Sequence, residues 1–283
     1  MTAGRSGAGD GNGAGGAGAG VSGDRPLAVI TGASSGIGAA SARALAGAGY
    51  RVVLVARSPE KLRAVADEIG PFAHVEACDA SDGPAVLAMV ARVGEQFGTP
   101  HLLVNSAGLG AWKRIEETTP EEGLEMLKAP YLAAFNMTHA VMSGMLALKR
   151  GVIIHVGSPA SMSPWPASVG YAASRAALRG MHQALCADLH GSGVHSCHVV
   201  FGRVESPYFA NNEHAADRVP GIGAVIRTIT PEECGAVILR TALRPRREVR
   251  YPFALRSMYW LNAVAPGLLR WLLRTTGYQH QGD

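Results

Sequence analysis

The sequence predicts an α/β fold: a single doubly wound parallel sheet with helices on both faces. Two observations carry that expectation. Short apolar runs alternate with longer helix-forming stretches along the chain, and repeated strand–helix units with right-handed crossovers build a parallel sheet. The first apolar run, Leu27-Ala28-Val29-Ile30, also ends in a glycine-rich turn, TGASSGIG at Thr31 to Gly38, that opens a helix.

The apolar runs place buried strands at 26–31, 51–56, 72–77, 101–105, 152–156 and 194–201. Helical stretches lie between them at 36–48, 59–69, 83–97, 121–148 (broken near Pro130) and 170–190. On such sheets, ligands bind at the carboxyl ends of strands where strand order reverses.

Residues 1–24 are almost all Gly, Ala, Ser and Asp. They hold too little apolar surface to offset chain entropy and read as a disordered tail, with neither a secretory h-region nor an arginine-rich transit pattern. Residues 25–250 form one α/β unit, and 251–283 an apolar helical extension packed on it. Cys78, Cys186, Cys197 and Cys234 make no Cys-x2-Cys pair and read as reduced thiols of a cytoplasmic protein. His195 and His198 lie three apart in a strand and point to opposite faces, so no metal site is expected. The net charge of +4 is concentrated late: from Arg244 onward seven arginines face Glu248 and Asp283, 7 − 2 = +5. No basic stripe interleaved with aromatics runs over the main body, which disfavours nucleic acid as a partner.

A buried strand that ends in glycines and feeds a helix presents unpaired N–H groups and the positive end of a helix dipole, which together bind an anion. In a βαβ unit that anion is usually a dinucleotide pyrophosphate. Gly32 allows the turn, Gly36 the close approach of phosphate, and Gly38 the packing of helix on strand. With Ser34, Ser35 and Ile37 they form the candidate phosphate cradle. The spacing, Gly-x3-Gly-x-Gly, differs from the commoner Gly-x-Gly-x2-Gly.

Arg57 follows the second strand, and Ala56 stands where an NAD-binding protein often carries an acid. A neutral residue followed by a guanidinium attracts a 2′-phosphate, favouring NADP(H) over NAD(H); a surface arginine beside Glu60 is the plain alternative. Asp79 after the third strand can accept from an adenine amino group, cap the next helix, or do both. Asn105, Ala107 and Gly108 close the fourth strand. All three are candidate cofactor contacts: the small residues leave room for adenine and ribose, and the Asn105 amide can bridge strands.

Ser158 closes the fifth strand, and Tyr171 and Arg175 lie one turn apart on the following helix. Taken alone, Tyr-x3-Arg is ordinarily a plain helical pair. Beside a strand-end serine it becomes a candidate acid–base site, because a cation next to a phenol lowers a pKa that starts near ~10. Together the three would polarise a carbonyl and donate a proton as hydride arrives at carbon.

With these motifs in place, the chain resembles the short-chain dehydrogenase/reductase family. The likeness covers about 27–243. It rests on TGASSGIG, on NSAG where the family commonly has NNAG, on Ser158 thirteen residues before Tyr171, and on FGRVESP where the family has PG-x-V-x-T-P. The resemblance implies a Rossmann-type sheet of about seven strands, a nicotinamide cofactor, Tyr171 as acid/base, Ser158 as substrate orienter, and a homodimer or homotetramer. It also implies nicotinamide contacts from Val204 and Ser206. Two residues depart from the pattern. The family's Tyr-x3-Lys is Tyr171-x3-Arg175, and its helix asparagine falls on Pro130. An arginine holds the ribose diol well but gives up no proton, and proline kinks the helix while keeping its carbonyl. A catalytically impaired NADPH-binding scaffold or redox sensor therefore stands beside the reductase as an alternative.

In the same resemblance, 202–230 covers the substrate as a mobile lid, with ordinary loop variability as the plain alternative. After Tyr251 an apolar tail is divided by Pro266-Gly267 into two helices too short to span a bilayer. With Arg256, Arg270 and Arg274 among its tryptophans and leucines, it can cap the pocket, pack between subunits, or lie peripherally on an anionic membrane. All three suggest a hydrophobic carbonyl or alcohol substrate.

Overall fold

A computed structural model describes residues 25–205, 218 and 220–278. The expected tail 1–24, and residues 206–217 and 219 of the segment expected over the substrate, lie outside the described residues.

Seven strands form one parallel sheet in the order β3-β2-β1-β4-β5-β6-β7. They are β1 (Leu27–Thr31), β2 (Arg51–Ala56), β3 (Ala73–Ala77), β4 (Leu102–Asn105), β5 (Gly151–Gly157), β6 (Val194–Phe201) and β7 (Glu248–Tyr251). The helices are α1 (Gly36–Gly47), α2 (Pro59–Ile69), α3 (Gly83–Phe97), α4 (Pro120–Leu127), α5 (Ala133–Ala147), α6 (Val169–Asp188), α7 (Pro231–Leu243), α8 (Leu255–Val264) and α9 (Pro266–Thr276).

The strands read as unbroken apolar runs because both faces are covered. Ala28 and Ile30 of β1 join Leu54, Val104, Ile154 and Val199 in one core beneath α1 and α7. Leu27 and Val29 join Val53, Leu103, Ile153, Met89 and Met137 in a second core beneath α3 and α5. Strand periodicity alone sorts these residues between the two layers.

Six strands and five helical stretches match the sequence expectation to within about two residues. The seventh strand, which the resemblance implied without locating, is β7. Its sequence, EVRY, alternates charge with apolar residues at the sheet edge, so no apolar run announces it. The preceding α7, also unassigned, begins with Pro231 and a capping box: Thr230 Oγ1 accepts from the Glu233 N–H (3.2 Å), and Glu233 accepts from the Thr230 N–H (2.9 Å). The break expected near Pro130 is a π-turn, Lys128–Leu132, between α4 and α5. Proline has no N–H to give an α-helical bond. The wider turn passes that register over, and the Ala133 N–H closes onto the Lys128 carbonyl.

The β1–α1 turn is held by close backbone packing. Gly32 has φ +67°, and a Cβ on Gly38 would lie 2.2 Å from the Gly32 carbonyl oxygen. Backbone stands on both sides of that contact, so only a shift of α1 would relieve it. Gly38→Ala should therefore cost about 1–3 kcal/mol or more. Chemical denaturation checks this, and an unchanged midpoint would refute it.

Three histidines are buried between β5, β6 and α6. The His155 and His182 ring centres are 6.0 Å apart, and His182 stacks on His198 at 5.4 Å. The Ser196 hydroxyl lies 2.9 Å from His182 Nδ1. Burial, then the neighbouring rings, holds His155 well below the ordinary histidine value. Burial, then His198, lowers His182 from 6.5 to about 4. Because these folded-state values lie below the unfolded one, the unfolded chain takes up protons first as pH falls. The stability contributed by the neutral rings is complete above about pH 6.5 and is lost toward pH 4. Urea midpoints should fall steadily across that window, and His182→Asn should flatten the slope. A pH-independent midpoint between 7 and 5 would contradict the assignment.

Candidate active site

The carboxyl ends of the strands open into a cleft of about 560 Å³ at the point where strand order reverses between β1 and β4. Thr31 sets that seam. Its hydroxyl accepts from the Ser106 and Ala107 N–H groups, both at 3.1 Å, and contacts the Val104 carbonyl at 3.5 Å. A Cβ on Gly32 would lie 2.9 Å from Ala107 N, so the two strand ends approach as closely as glycine permits.

One end of the cleft is the glycine turn. Gly32, Ser34, Ser35, Gly36, Ile37 and Gly38 all line it, and Ser35 precedes the first turn of α1 with no side-chain cap on its N–H groups. Arg57 and Lys61 stand beside it beyond β2, next to the uncharged Ala56. Asp79 lines the wall and accepts from the Ser81 N–H (2.9 Å) and hydroxyl (2.8 Å). Burial pushes its carboxyl up, but the Ser81 bonds, then the charges of Arg57 and Lys128, bring it below the usual value. The cap of α3 is Asp82, accepting from the Ala85 N–H at 3.0 Å.

Ala107 and Gly108 line the middle of the cleft. Asn105 does not. Its amide turns into the layer beneath α5, with Nδ2 3.3 Å from Thr138 Oγ1 and 3.3 Å from His155 Nδ1. It bridges β4 to β5 and braces the β4 end from behind, so it is not the cofactor contact expected of it.

The chemical groups meet at the far side. Ser158, Tyr171 and Arg175 are all buried and all line the cleft. The β5 end presents Ser158, whose hydroxyl also caps a short turn by accepting from the Ala160 N–H at 3.3 Å. The first turns of α6 present Tyr171 and Arg175. The guanidinium carbon lies 5.0 Å from the Tyr171 ring centre, over its face, and Nη1 lies 3.5 Å from the Val156 carbonyl. A Cβ on Gly108 would lie 2.7 Å from Arg175 Nη2, so the glycine leaves space for the guanidinium.

Sequence reasoning missed the aromatic wall. Trp112 and Trp165 meet edge to face at 5.2 Å, and both approach the Tyr171 ring, at 6.0 and 6.1 Å. Nothing local marks them, since they come from separate loops. Trp112 is held by the buried Arg218, which donates to its carbonyl (2.6 Å) and to both Glu117 carboxylate oxygens (2.6 and 3.2 Å). Hydrogen bonds from Arg218 and from the Arg114 N–H lower the Glu117 carboxyl to about 2. Arg218 also lies 4.8 Å from the Tyr278 ring centre, tying this wall to the C-terminal extension. Leu255, Met258 and Leu273 of that extension line the same end of the cleft. Val204, just after β6, lines it too, whereas Ser206 lies outside the described residues.

The chain is also similar to known proteins over most of its length. The short chain dehydrogenase family profile matches residues 26–217. The chain is 32% identical over 251 residues to an uncharacterised oxidoreductase of Mycobacterium tuberculosis, covering 86% of this chain and 71% of that one. It is 31% identical over 230 residues to sulfoacetaldehyde reductase 2 of Chromohalobacter salexigens, covering 77% and 89%. A metagenomic short-chain oxidoreductase solved in complex with NADP superposes with a TM-score of 0.68 at 32% identity, covering 81% of this chain and 97% of that one. A glycine turn at the strand-order reversal, a strand-end serine and a helical tyrosine in one cleft are thus joined by similarity over most of the chain, which belongs to the short-chain dehydrogenase/reductase family of NAD(P)-dependent oxidoreductases.

Proposed function

We propose that this protein is an NADPH-dependent carbonyl reductase or alcohol dehydrogenase acting on a hydrophobic substrate. The observation that carries the reading is the convergence of Ser158, Tyr171 and Arg175 on one cleft with the glycine turn. A nicotinamide cofactor, when bound, supplies or accepts the hydride. Gly32, Ser34, Ser35, Gly36, Ile37 and Gly38 would hold its pyrophosphate against the α1 N-terminus. The close fit of Gly32 and Gly38 to the backbone supports such a cradle. Arg57 and Lys61, with no acid at position 56, suit a 2′-phosphate, and the NADP complex of the metagenomic relative supports the same preference.

In the reductive direction Ser158 donates a hydrogen bond to the carbonyl oxygen and fixes its position. Tyr171 transfers its phenolic proton to that oxygen as carbon takes the hydride, so the carbonyl becomes an alcohol and the phenol a phenolate. Arg175 holds a permanent positive charge over the ring and would grip the ribose diol of the cofactor. Trp112, Trp165, Leu255, Met258 and Leu273 offer an apolar wall to the rest of the substrate. Exposed Leu124, Leu127 and Phe135 on and after α4 suit a homodimer or homotetramer, and the unpaired Cys78, Cys186, Cys197 and Cys234 suit the cytoplasm.

A second reading is favoured by the position of Arg175 over the ring face and by Pro130 in its π-turn. It is an NADPH-binding relative of impaired turnover, serving as scaffold or redox sensor. Fluorescence titration with NADPH beside a panel of short, aromatic, steroid-like and acyl-thioester ketones separates the two. Binding without turnover on every ketone would leave the sensor.

Tyr171→Phe should abolish ketone reduction while NADPH affinity stays within about twofold. Loss of cofactor binding instead would mean the role is misassigned. Arg175→Lys should keep or raise kcat, and a hundredfold fall would show a site built around the guanidinium. Ala56→Asp should weaken NADPH relative to NADH by at least tenfold in KM, and an unchanged ratio would remove Arg57 from cofactor discrimination.

A further inference from the structure

The outer faces of α8 and α9 form a surface that the cleft does not explain. Phe253, Trp260, Val264, Leu268 and Trp271 are exposed by 76, 67, 62, 49 and 52%. Phe253 leads into the first helix, and the other four follow at intervals of three or four residues along two helices packed on each other, turned away from the buried Leu255, Tyr259, Leu269 and Leu273. Arg256, Arg270 and Arg274 are exposed among them, and from Val249 to Gly282 the sequence holds no aspartate or glutamate. The basic groups elsewhere are often matched with acids: Arg43 with Glu68, Arg92 with Glu76, Lys113 with Glu122, Lys128 with Glu125 and Arg227 with Glu233.

A face of tryptophan, leucine and arginine without acids is complementary to an apolar layer edged with negative charge. A second copy of the chain fits it poorly, because a twofold contact would set the same cations against each other. Among the described residues no helix is long and apolar enough to cross a membrane. We propose that α8 and α9 dock this protein peripherally on an anionic lipid bilayer, with Trp260 and Trp271 at headgroup depth and Arg256 and Arg270 against lipid phosphates. The inner residues of the same helices, Leu255, Met258 and Leu273, line the cleft. Docking would therefore set the apolar end of the cleft beside the bilayer, from which an apolar substrate can partition.

The inference stands apart from the reductase reading, and its test measures binding rather than turnover. The full chain is sedimented with vesicles of phosphatidylcholine alone, or of phosphatidylcholine mixed with phosphatidylglycerol, at low and high salt. The expected result is binding at least tenfold tighter to the anionic vesicles, weakened by salt. It should be lost by at least tenfold in both an Arg256→Glu/Arg270→Glu variant and a Trp260→Ser/Trp271→Ser variant whose circular dichroism and thermal midpoint match the parent. No binding to anionic vesicles at low salt would overturn the proposal. So would a fall in particle mass by light scattering for the tryptophan variant, which would give the face to another copy of the chain.

Discussion

The close approach of β1 and β4 is the constraint on which the rest of this molecule depends. At the seam the Thr31 hydroxyl receives two backbone N–H groups from the β4 end, and Gly32 lies where any side chain would strike Ala107. Neighbouring crossovers leave in opposite directions from this line, so no helix covers it and a cleft opens. The α1 N-terminus, Arg57, Asp79, Gly108 and Ser158 line that cleft because each ends or follows a strand there. Loosening the seam would separate the glycine turn from the groups expected to do the chemistry.

Arg175 shows how a departure from the family pattern is accommodated. A guanidinium is larger than an ammonium and planar, and it must lie flat against something. Here it lies over the Tyr171 ring and in the space left by Gly108, with the Val156 carbonyl at its edge. It thereby keeps a buried positive charge beside the phenol ring without an ion-pair partner among the described residues. Pro130 is absorbed in a similar local way. The missing N–H becomes a π-turn, and the helix continues as α5 in the same layer.

The C-terminal extension works on two fronts. Its inner residues complete the apolar end of the cleft, and Arg218 links it to Trp112 and Glu117 through Tyr278. Its outer residues keep tryptophans and arginines exposed. Two amphipathic helices with opposite duties on opposite faces explain why this stretch is apolar overall yet carries no membrane-spanning run.

Where chemistry is local in sequence, the chain alone determined it. Strands β1 to β6, the glycine turn, the Tyr171–Arg175 spacing and the kink at Pro130 are written in runs and intervals of a few residues, where backbone sterics and periodicity act directly. The short charged β7 at the sheet edge left no apolar signal. Only tertiary structure decided the rest. It turned Asn105 inward toward His155 and away from the cleft, because strand pleating assigns its side chain to the α5 face. It also brought Trp112 and Trp165 together against Tyr171, gathered His155, His182 and His198 in a buried file, and set Arg218 against Tyr278. Those pairings join residues from six positions apart, Trp165 and Tyr171, to sixty, Arg218 and Tyr278. Their energies arise from packing between layers, which no local interval in the chain encodes.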